Sequence, residues 1–308
     1  VHPVLPVRRR DGVLAGLPQG DGAGEKRESW VYLETDRVDA RERRALEAEL
    51  RTVLGDVRAA VEDWPQMQSR ILADADRLAD AEGAALLRWL RGGMLTQLGH
   101  VVRTRDCKAV DVLGICRSST PGLLADDACE RAFAWFDGAD GGAPGRSPLI
   151  VKANRLARVH RRAPLDLFIV PVYENGRVAA LSIHAGLWTS AGLAAAPEAV
   201  PVLRQQLQTI KDRFGFTPGS HDHKALLHAL TALPHDLVIS FPDDQIVTVA
   251  AAMIGLVDRP RPRAALVSVP LGRHVFAFVW LPRDLLSTTV RLDVQHLLER
   301  HTGAATLD

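Results

Sequence analysis

Asn175–Gly176 separates two apolar runs, LDLFIVPVY at 165–173 and RVAALSIHAGLW at 177–188. Both turn residues tolerate positive φ, which a two-residue hairpin turn requires, so the pair makes these runs adjacent antiparallel strands. No other short stretch restricts the fold as strongly. PLIVKAN and ARVHRR lie just upstream, and the whole of 148–188 reads as an antiparallel meander. MLTQLGHVVR (94–103) and VDVLGICR (110–117) read as two further strands.

Residues 1–10 and 29–36 also read as strands, around a Gly-rich charged loop, GLPQGDGAGEKRE. Two strands alone are not stable in water, so they belong to a sheet completed elsewhere. The clearest helix follows. Asp39 can cap it, with Glu42 as capping-box partner. Leu46, Leu50, Val53, Leu54, Val57, Val61 and Trp64 repeat at helical spacing, and this stripe is expected to be buried against a sheet. Pro65 should end or kink the helix, with a second helical piece over 66–78. EGAALLRWLRGG forms a third, stopping at Gly92–Gly93. Three more helices are read in 197–215, in SHDHKALLHALTALP capped by Ser220 or Asp222, and in SFPDDQIVTVAAAMIGLVD capped by Ser240. After RPRPR come two strands, AALVSVP and HVFAFVWLP, then a helix, LSTTVRLDVQHLLERH. AATLD would open a further strand.

With 38 Lys and Arg against 37 acids, the 308 residues carry a formal charge of +1, which argues against general nucleic-acid binding. The 47% apolar content suffices for sizeable cores. Cys107, Cys116 and Cys129 have no zinc-ligand spacing and read as free thiols in a reducing compartment. No apolar run reaches the roughly 18 residues of a membrane span, and no secretory signal is present. The chain lacks an initiator Met and begins in a strand, so an excerpt of something longer is expected.

The histidines of HDHKALLH are spaced badly for metal: His223 and His228 are five apart, not three or four. A solvated or capping role is expected. GADGGAP lacks the order of a dinucleotide turn and no nucleophile elbow or carboxylate pair is found, so no catalytic, cofactor or metal residues are assigned. The remaining feature is KANRLARVHRR, which holds Lys152, Arg155, Arg158, Arg161 and Arg162 with His160 and no acid. On a strand, Arg158, His160 and Arg162 share one face and Val159 and Arg161 the other. Three readings stay open: a contact for a neighbouring domain or subunit, a solvated edge, or a small-anion site. The candidate contacts are Lys152, Arg155, Arg158, His160 and Arg161, with Lys152 and Arg155 at the rim.

ESWVYLETDRVDARERRALEAELRTVLGDVRAAVEDW, LLRWL, PLIVKANRLARVHRR, SHDHKALLHALTALPHD and VWLPRDLLSTTVR, in this order, resemble the N-terminal part of the large bacterial NAD-specific glutamate dehydrogenases. The resemblance covers essentially the whole chain. It departs at GGMLTQLGHV, where relatives carry an aromatic-rich strand, at PLDLFIVPVY after the basic run, where relatives often carry tyrosines, and at His223, where glycine is usual.

The resemblance implies an α+β, multi-module fold, with antiparallel ACT-like and PAS-like sheets joined by helical connectors. Residues 1–37 would end a first ACT-like domain, 38–80 form a helical connector and 81–203 a PAS-like domain. Residues 204–258 would be helical, and 259–308 would open a second, incomplete ACT-like domain. It implies a non-catalytic regulatory or assembly segment, inactive alone, of a cytoplasmic enzyme that oxidises glutamate to 2-oxoglutarate and ammonium. No cofactor is expected in this chain, because NAD would bind the parent's catalytic domain. Expected partners are other domains and subunits of a homo-oligomer, and an amino-acid or small-anion effector, with no nucleic acid and no membrane. The alternatives are a self-standing sensor of the same modules and a cofactor-binding PAS-like module.

Overall fold

The computed structural model describes residues 3–18, 27–117, 123–138, 148–257, 261–272 and 274–303. It divides into two compact units, Val1–Arg51 and Thr52–Asp308. Much of the Gly-rich stretches at 16–28 and 137–147, part of RPRPR, the hydroxyls of RSST and the strand expected in AATLD lie outside the described residues.

The first unit holds two short antiparallel pairs. β1 (Val4–Pro6) pairs with β4 (Arg27–Ser29), and β2 (Arg8–Arg10) with β3 (Val13–Gly16). The strand expected over 29–36 stops at Ser29. Beyond it Val31, Tyr32 and Leu33 are exposed, and no strand among the described residues completes a ladder for them.

α1 (Ala40–Arg77) starts on the expected capping box. Asp39 Oδ1 accepts from the backbone N–H of Arg41 (2.7 Å) and Glu42 (2.8 Å), and Glu42 Oε2 accepts from that of Asp39 (3.3 Å). Two expectations fail here. Pro65 lies inside one continuous helix, because burial of Met67, Ile71 and Ala75 beyond it outweighs the single lost backbone bond. The leucine–valine stripe is also largely exposed: Leu54, Val61 and Trp64 are 50%, 70% and 54% exposed, Leu46, Leu50 and Val57 are exposed too, and Val53 is half-buried against the sheet core. The helix instead packs with Ala59 and Ala60, whose small side chains allow close approach. Asp63 accepts from the Gly114 N–H (2.7 Å) and pairs with Arg117 (2.7 Å).

α2 (Ala81–Trp89) is capped by Asp80 and runs into a wide turn at Leu90–Met94, where Gly93 has φ +104°. Then the five-stranded sheet begins. Its strands are β5 (Leu95–Thr104), β6 (Ala109–Gly114), β7 (Leu149–Leu156), β8 (Pro164–Glu174) and β9 (Arg177–Trp188). The spatial order is β6-β5-β9-β8-β7 and every pairing is antiparallel. Asn175 and Gly176 make the β8–β9 turn at φ +51° and +75°. ARVHRR is not a strand. Residues 157–163 form a turn closed by the Ala157 N–H on the Ala163 carbonyl (2.8 Å). The Arg161 N–H reaches the Val159 carbonyl (2.9 Å) across His160 at φ +70°, a γ-turn of the rare positive-φ kind.

α3 (Asp126–Phe136), which the sequence reading did not assign, covers one sheet face. Cys129, Ala132 and Phe133 meet Leu167, Ile169 and Ile183 there. Phe168, Val170 and Trp188 on the other face meet Ile71 of α1, Leu86 and Leu90, and the helices that follow. These are α4 (Ser190–Ala194), α5 (Leu203–Phe214), α6 (His221–Thr231), α7 (His235–Val238) and α8 (Asp243–Val257). Ser220 caps α6, accepting from His223 N–H at 3.2 Å. Ser240 caps nothing; α8 starts after Pro242, and the Ser240 hydroxyl donates to the Leu237 carbonyl (2.7 Å). β10 (Arg263–Ser268) and β11 (Val275–Trp280) form a hairpin, followed by α9 (Thr288–Thr302). Among the described residues no helix is long and apolar enough to cross a membrane.

Candidate functional site

The basic run divides at the end of β7. Lys152 is buried and not at a rim. It lies opposite Asp166 in the β7–β8 register, and its ammonium reaches Asp166 Oδ1 and Asp236 Oδ2, each at 2.6 Å. Asp236 belongs to α7, so one lysine ties the sheet to the helical segment. The His274 imidazole Nε2 donates to the Lys152 carbonyl at 3.1 Å and adds the start of β11 to the junction. Two carboxylates face one ammonium. Burial, the largest influence, pushes the Asp166 carboxyl up to about 7 against the pull of Lys152. Burial opposes the Lys152 charge as well, but the two carboxylates outweigh it and hold its pKa above the ordinary value.

The other cations turn outward. Arg155, Arg158, His160 and Arg162 are exposed, and Arg161 is half-buried with its charge acting on Asp166. The shared strand face of Arg158, His160 and Arg162 does not exist, because these residues occupy the turn. Buried Ala157 and Val159 anchor that turn from beneath.

A second polar group on the same sheet face was not found from sequence. Asp74 (α1), His100 (β5), Ser182 and His184 (β9) are all buried. The Gln68 amide donates to Gln97 Oε1 (3.0 Å), which leaves the Gln97 NH2 group to face His184 Nδ1 (3.1 Å). His184 Nδ1 therefore accepts, and Nε2 carries the proton that it donates to Asp74 Oδ2 (2.7 Å). The single Ser182 hydroxyl proton goes to the same carboxylate, so His100 Nε2 donates to Ser182 Oγ (3.1 Å). Burial, the largest cause, depresses the His100 pKa to about 3, so it is a neutral ring. Burial raises the Asp74 pKa, but the bonds from His184 and Ser182 and the charge of Arg77 at 2.5 Å hold it below the ordinary value.

Asp74, His100 and His184 bring three ligand-type atoms within 4.8 Å of one another, the donor set of a two-histidine, one-carboxylate centre. Both Nε2 atoms carry protons spent on hydrogen bonds, so the group acts as a clamp between α1 and the sheet. The readable signal was Ser182 and His184 at alternate positions of an otherwise apolar strand. In HDHKALLH, His221 is exposed, and His223 Nδ1 accepts from the Gly219 N–H (3.3 Å). A cleft of about 270 Å³ between the β7 edge and the helical segment is lined by Trp135, Ile150, Arg213, Phe241, Asp243 and Asp244, among others. Cys116 and Cys129 are buried free thiols pushed up to about 12, chiefly by desolvation.

Residues 200–259 match the family model described as "Glutamate dehydrogenase, helical motif 1". The NAD-specific glutamate dehydrogenase of Pseudomonas aeruginosa is 30% identical over 98% of this chain and 20% of its own length. That of Halomonas elongata is 29% identical over 91% of this chain and 19% of its own length. The chain thus spans about a fifth of the curated relatives it matches. A solved structure titled "Structure of an RNA-binding Light-Oxygen-Voltage Receptor" aligns over 65% of this chain and 64% of its own, at 16% identity and a TM-score of 0.19. That likeness is too slight to carry an argument.

Proposed function

The chain belongs to the family of the large NAD-specific glutamate dehydrogenases, and from that premise we propose that it forms a non-catalytic regulatory and assembly segment of such an enzyme. The complete enzyme, on this reading, converts L-glutamate, NAD and water to 2-oxoglutarate, ammonium and NADH in the cytoplasm. Its NAD site lies elsewhere in the polypeptide.

The observation that carries the reading is the sheet. Dinucleotides occupy the crevice at the carboxyl ends of parallel βαβ strands. Here all the strand pairings among the described residues are antiparallel, and helices cover both faces of the five-stranded sheet. Numbered within the sheet, the strand order is 2-1-5-4-3 with α3 between the second and third strands, which supports a PAS-like module. The β10–β11–α9 succession supports the opening of an ACT-like one. The cleft beside Arg213, Asp243 and Asp244 offers both signs of charge beside an apolar wall, which favours sensing of an amino acid or small anion as a second role.

Assembly would run through the basic turn. Arg158, His160 and Arg161 contact acidic groups of another domain or subunit of a homo-oligomer, with Arg155 beside them. The test is Arg158→Glu with Arg161→Glu in the full-length enzyme, beside the 308-residue chain alone. The chain alone should reduce no NAD with glutamate, and the reversed enzyme should lose oligomer mass or gain salt sensitivity. Turnover by the chain, or an unchanged oligomer at every salt concentration, defeats the corresponding half of the proposal.

A further inference from the structure

We propose that the helical segment is held to the sheet by a proton-linked charge trap, in which Lys152 bridges Asp166 and Asp236 and the contact tightens as Asp166 takes up a proton. The geometry is that of a closed junction. Lys152 and Asp166 are both buried, from neighbouring strands, and Asp236 enters from α7. With both carboxylates ionised the junction holds one cation and two anions, and the uncompensated charge has little water to stabilise it. One proton on Asp166 restores neutrality without breaking the Lys152–Asp236 pair.

Every charged or titratable group facing the junction bears on this balance. Lys152 on β7 and Arg161 in the turn oppose protonation of Asp166, and Asp236 on α7 favours it. His235 beside Asp236 has its pKa lowered, chiefly by burial, and so stays uncharged at neutral pH. His274 is engaged with the Lys152 carbonyl. Asp166 therefore gains its proton from solvent, and the α7 contact is where that gain is felt.

The direction follows from linkage. The folded carboxyl titrates near 7, against about 4 for an ordinary aspartate. A raised folded value gives stability that is complete at acid pH and is lost as pH rises through the folded value. The window runs from about pH 4 to 7, and above it the contribution is level.

Hydrogen exchange at the α7 amides tests the trap in the 308-residue chain. The Val238 and Ile239 N–H groups, bonded to the Pro234 and His235 carbonyls, report its opening. Protection, corrected for the intrinsic rate, should fall by up to about tenfold per pH unit between pH 5 and 7, then level off. Asp166→Asn and Asp236→Asn should each flatten that slope, and Lys152→Met should move it to higher pH. The proposal is overturned by a wild-type slope of zero, or by an unchanged slope in Asp166→Asn. Should the variants fail to fold, carbon-13 carboxyl titration of the unmodified chain decides it. A midpoint for Asp166 near neutrality supports the trap, and one below pH 5 removes it.

Discussion

His100 shows how a single buried ring makes the fold sensitive to acid. Its Nε2 donates to Ser182 and its Nδ1 is buried without a partner among the described residues. Charging it would place a second proton where nothing among the described residues accepts it, and burial, the largest cause, brings its pKa down to about 3. A folded value below the unfolded value means stability that is whole above the ordinary histidine range and is lost as pH falls toward 3. Asp74, also held below its ordinary value, acts in the same direction at lower pH. His100→Phe should therefore flatten the acid limb. Urea melts between pH 4 and 6.5 should lose a slope of up to about 1.4 kcal/mol per pH unit. An acid limb identical in both proteins would assign the sensitivity to other groups. Over part of this range Asp166 works with the opposite sign, so a local probe at α7 separates the two.

At the scale of the element, α1 marks the limit of reading helices from periodicity. The apolar stripe from Leu46 to Trp64 was legible, and so was the capping box that starts it. The spacing says which face is apolar but not whether its partner lies in the same stretch of chain. The packed face uses Ala59 and Ala60, which look neutral in a sequence, and aspartates that look solvated. Leu54→Ala and Val61→Ala should change stability by less than about 0.5 kcal/mol, whereas Ile71→Ala should cost about 2–5 kcal/mol. Thermal melts of the three variants check this, and a large loss for Leu54→Ala would mean the stripe is covered in solution. α3 went unread because its apolar residues fill few turns beside a Gly-rich stretch. The basic turn was misread as a strand because charge pattern does not reveal a positive φ at His160. The polar clamp hid for a related reason: its members come from three separate elements, and only the register of β5 on β9 brings His100 opposite His184.

For the whole molecule, strand order decides how the chain can reach its fold. β8 and β9 meet through two residues, but β5 pairs with β9 across everything that lies between them in the chain. A local hairpin closes cheaply, whereas the long closure must wait until enough surface is buried to offset its entropy. The Asn175–Gly176 turn is therefore expected to form early, with β5 and β6 joining the hairpin afterwards. Asn175 sits at φ +51°, where alanine is strained, so Asn175→Ala burdens the first step. Stopped-flow refolding should slow several-fold while unfolding is little changed, the pattern of a residue ordered in the transition state. If only the unfolding rate responds, the hairpin forms late and the nucleus lies in the helices. Until β9 accepts β5, its free edge and the buried polar groups of Ser182 and His184 face solvent. The slow closure is thus the interval in which one copy's hairpin can capture the β5 of another, and kinetic competition between the two sets the yield of native chains at high concentration.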